Sequence, residues 1–365
     1  MTTRAPAAAA LLLLAAAAAG STLLALGAAA GDESPAGGGA GKGAWIAGGD
    51  ASAACARCHA DAHPGFESSG HAVAATEPWY AASLDHTPEA LKPLCAGCHS
   101  PTGAASRAGV SCVACHVDRG TGTVLAPRPG MWAGAPHDTR FAPELRDGRL
   151  CATCHVVELP VGKDGAWVRL QDTPAEHALW RERTGDGRGC VDCHAGTARP
   201  HFAGMRDPAF LASAVALSLA LDRDGGAGLV AGALVLDNRA GHAFPAGSQL
   251  REAWVRVTVV APDGRRASAL VERLRIIGDP AAGETPVDLR LAPGETRRLP
   301  FRVALPEGFP MAGLAVEATV DLALVSLDFE DGHPMIPPGE PRTVPVARVR
   351  VEIPETIAFT FTEDR

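Results

Sequence analysis

Between residues 206 and 365, apolar and polar side chains alternate with a period of two. Ala214 to Leu221, Leu229 to Leu236, Trp254 to Val260, Thr319 to Val325 and Arg348 to Ile353 are runs of this kind, rich in Val and Leu. Successive side chains of a strand point to opposite faces, so each run predicts a strand with one buried face. Turn formers such as Pro262-Asp263-Gly264 separate the runs, as antiparallel neighbours require. About seven or eight strands over this stretch predict an antiparallel β-sandwich domain.

Upstream the character is different. Over residues 50–205 Pro and Gly are dense and helical patches such as Pro174 to Arg183 are short, which predicts short helices and long wrapping loops in a mostly irregular domain. The first thirty residues have Arg4, an Ala/Leu run from Ala5 to Ala19, a break at Gly20-Ser21-Thr22, and Leu23 to Ala30 ending in Ala28-Ala29-Ala30. A charged start, an apolar stretch and a small-residue site predict a secretory signal over 1–30, with the mature chain beginning near Gly31. An uncleaved membrane anchor is the competing reading, since about 20 apolar residues span a bilayer. The Ala-rich, interrupted run is too weakly hydrophobic to favour it. No Cys precedes Cys55, which argues against a lipid anchor. Residues 31–49, with Gly37-Gly38-Gly39, read as a flexible linker.

Composition sets outer bounds. At 365 residues, 47% hydrophobic and 20% charged, the chain has room for about two domains and a real core, and is no disordered tail. A net charge of −8, with Lys only at Lys42, Lys92 and Lys163, offers no basic stripe for phosphates and argues against a nucleic-acid binder.

The 10 Cys and 13 His change the picture. Every Cys falls in a Cys-x-x-Cys-His segment: Cys55/Cys58/His59, Cys95/Cys98/His99, Cys112/Cys115/His116, Cys151/Cys154/His155 and Cys190/Cys193/His194. Composition alone predicts roughly 0.01 such segments, and this spacing is that of c-type haem attachment. Two thiols three residues apart on a helical turn reach the two vinyl groups along one porphyrin edge, and the next His supplies a nitrogen to iron. Zinc would not require His at one offset five times. A thioredoxin-like pair would occur once, in a βαβ context. Five covalently bound haems c are expected.

The segments begin 40, 17, 39 and 39 residues apart, and the short gap predicts that the second and third haems are close neighbours. Some thirty residues per haem is too little chain for an apolar core, so the porphyrins should be the core of residues 50–205. Eight His remain for the opposite iron faces: His63, His71, His86, His137, His177, His201, His242 and His333. They suffice to make all five haems bis-His, with Met131 and Met205 as weaker candidates.

Several local runs resemble multihaem cytochromes c of the tetrahaem nitrifier-cytochrome and hydroxylamine-oxidoreductase type. These are Cys55 to Ala72 with Ser69-Gly70-His71-Ala72, Gly109-Val110-Ser111 before Cys112, and Cys190 to His194 followed by His201-Phe202-Ala203-Gly204. Asn238 to Gly247, with Gly241-His242-Ala243-Phe244-Pro245, resembles the opening of the β-rich domain appended in many of them. The resemblance spans roughly residues 50 to 300. It implies His71, His201 and His242 as distal ligands, with His137 next, and the fifth lying between His177 and His86. His177 stands where that group often has Trp. It also implies attachment of haem outside the cytoplasm, which agrees with the leader and a periplasmic or extracellular location.

Two functions follow as expectations. The first is an electron carrier passing electrons along a chain of bis-His haems, with a redox partner protein or a membrane quinol-linked complex as partner. The alternative is a multihaem oxidoreductase in which one open haem acts on a small nitrogen or sulfur oxyanion. Related enzymes signal this by a Cys-x-x-Cys-Lys segment or a haem-linked tyrosine. All five segments here end in His, and the single tyrosine is Tyr80. The β domain is either a partner-binding module or a lid carrying His242 onto the last haem. Surplus His also leaves room for an oligomer or filament in which a distal His crosses to the next subunit.

Overall fold

The computed structural model describes residues 51–103, 109–130, 135–195, 201–222, 228–247, 250–328 and 333–353. The expected leader, the linker and Met131 lie outside the described residues.

The first half is a string of short helices: α1 (Ala51–Ala56), α2 (His63–Glu67), α3 (Pro78–Asp85), α4 (Lys92–His99), α5 (Cys112–His116), α6 (Arg149–His155), α7 (Thr173–Thr184), α8 (Cys190–His194) and α9 (Pro208–Ala212). Two small ribbons lie between them. β1 (Val124–Ala126) pairs parallel with β2 (Thr139–Phe141), and β3 (Val156–Leu159) pairs antiparallel with β4 (Val168–Asp172). Helix α7 has the strongest local signals. The Asp172 carboxylate accepts from Ala175 N, Pro174 stands in the first turn, and Gly185 closes the helix at φ 73°, a left-handed conformation that suits glycine.

This half has almost no apolar core. Among the described residues before 205, the buried apolar side chains are Phe66, Val113, Val117, Ala126, Ala142 and Trp180, and none of them belongs to a buried apolar cluster. So little burial cannot offset the conformational entropy of ordering this much chain. Something other than apolar side chains must fill the space.

The second half is built from β5 (Val215–Leu221), β6 (Leu229–Asn238), β7 (Glu252–Val260), β8 (Arg266–Leu274), β9 (Ile276–Ile277), β10 (Val287–Asp288), β11 (Thr296–Ala304), β12 (Ala315–Ala323) and β13 (Thr343–Glu352). Strands run β11-β6-β5 in one sheet and β13-β12-β7-β8 in the other, with β9 and β10 forming a small ribbon. All pairs are antiparallel. Along β7 the period of two appears directly, with Val255, Val257 and Val259 fully buried and Trp254, Arg256 and Thr258 half-buried. One cluster joins the sheets, with Leu234 and Leu236 from the first against Val255, Val257, Val316 and Val320 of the second. Met205, a weaker ligand candidate, packs partly buried against this cluster.

Candidate functional site

Each Cys-x-x-Cys-His segment forms a turn of helix that presents its His at the end. Helices α4, α5, α6 and α8 terminate on His99, His116, His155 and His194. At α1 the turn continues past the helix, with His59 N donating to Cys55 O at 2.9 Å. No disulfide joins any of the ten Cys.

The rings are oriented by their second nitrogen. His99, His116 and His194 donate from Nδ1 to the carbonyls of Ala74, Leu125 and Ala203 at 3.0, 3.0 and 2.7 Å. A carbonyl only accepts, so Nδ1 carries the proton and Nε2 keeps the lone pair a metal needs. His155 Nδ1 faces the Gln171 side-chain amide at 3.4 Å.

Two further imidazoles stand opposite proximal ones. The His194 and His242 ring centroids are 6.3 Å apart with planes 11° from parallel, and those of His71 and His155 are 6.3 Å apart with planes at 64°. A metal–imidazole bond is about 2 Å, so one metal between two facing imidazoles separates their centroids by about 6 Å. Burial lowers the pKa of both His71 and His242 to about 4, so each imidazole is neutral near pH 7. His242 Nδ1 donates to Ala243 O at 3.0 Å, so Nε2 keeps the lone pair.

Close backbone approach fixes His71. Gly109 has φ +60°, and a Cβ there would stand 2.4 Å from His71 O and 2.5 Å from Ala72 O. Val110 N donates to His71 O at 2.8 Å. Only glycine fits that contact. From the other side Phe202 sets its ring edge-on to His71, centroids 4.8 Å apart.

Other expected ligands are placed differently. His201 turns its Nε2 to Asp207 Oδ2 at 3.3 Å, so the His201-Phe202-Ala203-Gly204 run meets the site through the Phe202 ring and the Ala203 carbonyl. His177 points Nε2 at the Arg188 carbonyl, 3.1 Å away, which spends that nitrogen as a donor. His137 Nδ1 is 3.1 Å from Thr139 Oγ1 at the start of β2, beside the β1 carbonyl that holds His116. His86 binds Ala82 O within α3 at 2.9 Å. His63 Nδ1 pairs with Glu67 at 3.3 Å. Tyr80 stacks flat on His99, centroids 3.9 Å apart and planes 6° from parallel.

Thiols of different segments meet. Cys55 and Cys112 lie within hydrogen-bonding reach, as do Cys98 and Cys154, and Cys151 and Cys190. Cys115, whose thiol burial pushes up to about 11, is near Cys154. Helix α1 accordingly touches α5, and α4 touches α6. The second and third segments, separated by the short gap, both bring a thiol to Cys154, while Val110 N, just before the third, donates to His71 O.

These residues fit covalently attached haem. Ten cysteines outside any disulfide stand in five Cys-x-x-Cys pairs, each followed by an imidazole, where the described residues form no apolar cluster of their own. Trp79 Nε1 and Ser111 Oγ are buried without a partner, as donors meeting an acidic porphyrin edge would be.

The fold, short helices followed by an antiparallel β half, has a counterpart among solved structures. It is similar to a penta-haem cytochrome c552 from Thermochromatium tepidum, at 19% identity over 82% of this chain and 97% of that one, with a TM-score of 0.66. The sporulation control protein Spo0M from Bacillus subtilis aligns over 38% of this chain and 48% of its own at 15% identity, and its TM-score of 0.19 carries no argument. No protein-family model and no curated protein matches the chain.

Proposed function

We propose that this chain is an exported electron-transfer cytochrome holding five haems c, through Cys55/Cys58, Cys95/Cys98, Cys112/Cys115, Cys151/Cys154 and Cys190/Cys193. In this reading His59, His99, His116, His155 and His194 are the proximal ligands. The observation that carries it is the spacing of His194 from His242 and of His71 from His155. Haem c supplies one-electron chemistry when bound, and the protein spaces, orients and tunes it.

The thiol contacts support a connected path. They join the first segment to the third, the third to the fourth, the fourth to the fifth, and the second to the fourth. The segments with exposed cysteines, Cys58 and Cys193, fall at the two ends of the longest route, where partners would dock. His71 serves the haem on His155, and His242 the one on His194. His137 suits the haem on His116, since both are held by the β1–β2 ribbon. Ligation by His177 or His201 would require each ring to leave Arg188 or Asp207. The second half is read as a β-sandwich that closes over the last haem and places His242. The narrower grouping with hydroxylamine-oxidoreductase-type cytochromes, a redox protein or quinol-linked membrane partner, and a periplasmic or extracellular location belong to the same proposal. Among the described residues no helix is long and apolar enough to cross a membrane.

A second reading rests on His99. Among the described ring contacts its partner is Tyr80 and not an imidazole, which suits an oxidoreductase with one open haem acting on a small nitrogen or sulfur oxyanion. Yet Tyr80 stacks on the proximal imidazole itself, on the side away from an incoming substrate. Electron transfer is therefore preferred. Pyridine haemochrome analysis combined with electron paramagnetic resonance (EPR) of the oxidised protein tests both readings. Five haems, all low-spin, support the carrier; a high-spin iron that binds nitrite or hydroxylamine supports the enzyme; zinc in place of iron ends both.

A further inference from the structure

We infer that Glu176 is the positioning residue for His242: a carboxylate on the haem half that fixes the ligand loop of the β half in register with His194. The inference rests on the reading of His194 and His242 as one axial pair.

Glu176 lies on α7 and uses both carboxylate oxygens across the junction between the halves. Oε2 accepts from Ala243 N at 3.2 Å, and Oε1 accepts from Arg290 Nη2 at 2.7 Å. The pair is well covered, with Glu176 and Arg290 side chains 16% and 12% exposed. Hydrogen bonds to a covered carboxylate are strong and costly to leave unmade. Arg290 Nη1 also reaches Pro245 O at 3.3 Å. The chain just after His242 is thus held twice, at Ala243 N and at Pro245 O.

Asn238 completes the hold from within the β half, donating from Nδ2 to His242 O at 2.8 Å. Glu176 is the member of this set that belongs to the half carrying His194. Its neighbour His177 ties α7 to the Arg188 carbonyl, two residues before Cys190. Adjacent side chains of one helix therefore hold the approach to α8 and the loop of His242. This gives His177 a role that iron ligation would forbid, and it makes α7 a rigid gauge between the two imidazoles. Gly241, at φ +73°, supplies the left-handed turn that carries the loop beside Trp180 of the same helix.

A residue that merely docks the halves would affect stability without touching the iron. Arg183, on α7 as well, donates from Nη1 to Pro293 O at 3.1 Å and provides that comparison. In the full haem-loaded protein, Glu176→Leu should disturb one low-spin EPR signal and shift the midpoint potential of one haem. A high-spin signal integrating to at most one iron per chain should appear. Arg183→Met should lower the melting temperature and leave the spectra alone. Glu176→Gln, which keeps one acceptor oxygen, should shift the same signal less and stands in should the Leu variant fail to fold. Spectra unchanged in both Glu176 variants, while His242→Ala still turns one haem high-spin, would overturn the inference alone. Unchanged spectra in His242→Ala would overturn the axial pairing and the inference with it.

Discussion

His194 and His242 face each other with ring centroids 6.3 Å apart and planes 11° from parallel, while His71 and His155, at the same separation, are turned by 64°. Ring orientation matters to iron because an imidazole donates π density to the d orbital perpendicular to its own plane. Parallel rings load one orbital and split the pair widely. Rings near right angles load both and leave them close in energy. Two low-spin EPR signatures are therefore expected, a rhombic one from the first pair and one of large maximal g value from the second. His242→Ala should remove the rhombic signal and His71→Ala the other. Loss of the same signal in both variants would contradict the pairing.

The uneven burial of the two halves predicts how the chain behaves without haem. Among the described residues, buried apolar clusters lie from 205 onward, with Trp79 alone packing on one from before that point. Hydrogen exchange on chain made where haem cannot be attached should show strong protection confined to strands within 215–353. Protection across α4 to α8 in that preparation would show that the first half folds on side-chain packing alone.

Sequence and structure agree where the signal is local. The helical turns at the five Cys-x-x-Cys-His segments need only neighbouring residues, and the alternation through β5, β6 and β7 is set by one buried face, so both are legible in the sequence. Strand β11, Thr296–Ala304, carries Pro300 and four Arg-or-Thr positions and does not read as a strand. As the edge of its sheet it tolerates a residue that cannot donate to a ladder. Strand β12 begins at Ala315, upstream of the Thr319 expectation, because Glu317 interrupts the apolar pattern and is buried through its arginine bonds. Distal ligands depend on which segments meet in space. Composition supplies eight spare histidines, and only the fold shows that His201 turns to Asp207 while Phe202 beside it reaches His71.

Gly109 tests how tightly that meeting is set. A methyl group at this position would enter the His71 and Ala72 carbonyls, at a φ of +60° that L residues rarely adopt. Gly109→Ala should cost more than about 1 kcal/mol. It should also perturb the EPR signal assigned to His71 and His155 while leaving that of His194 and His242 intact. Full stability with unchanged spectra would show that the loop relaxes without moving His71.

The pH dependence of the β half should centre on Glu317. This side chain is 5% exposed between Arg266 and Arg348. Burial alone would raise its pKa, but hydrogen bonds from Arg266, at 2.8 Å, and from Arg348 outweigh it and hold the carboxyl below its ordinary 4.5. The unfolded chain then binds a proton more readily than the folded one as pH falls past that value. The stabilisation is therefore complete above pH 4.5 and is lost as pH drops through the lower folded value. Glu317→Gln should cost about 1–3 kcal/mol near neutrality, and the gap from the parent should narrow in acid. Urea midpoints of the β-half transition measured from pH 7 downward would show this convergence. An offset that stays constant across the range would mean that Glu317 acts through its shape rather than its charge.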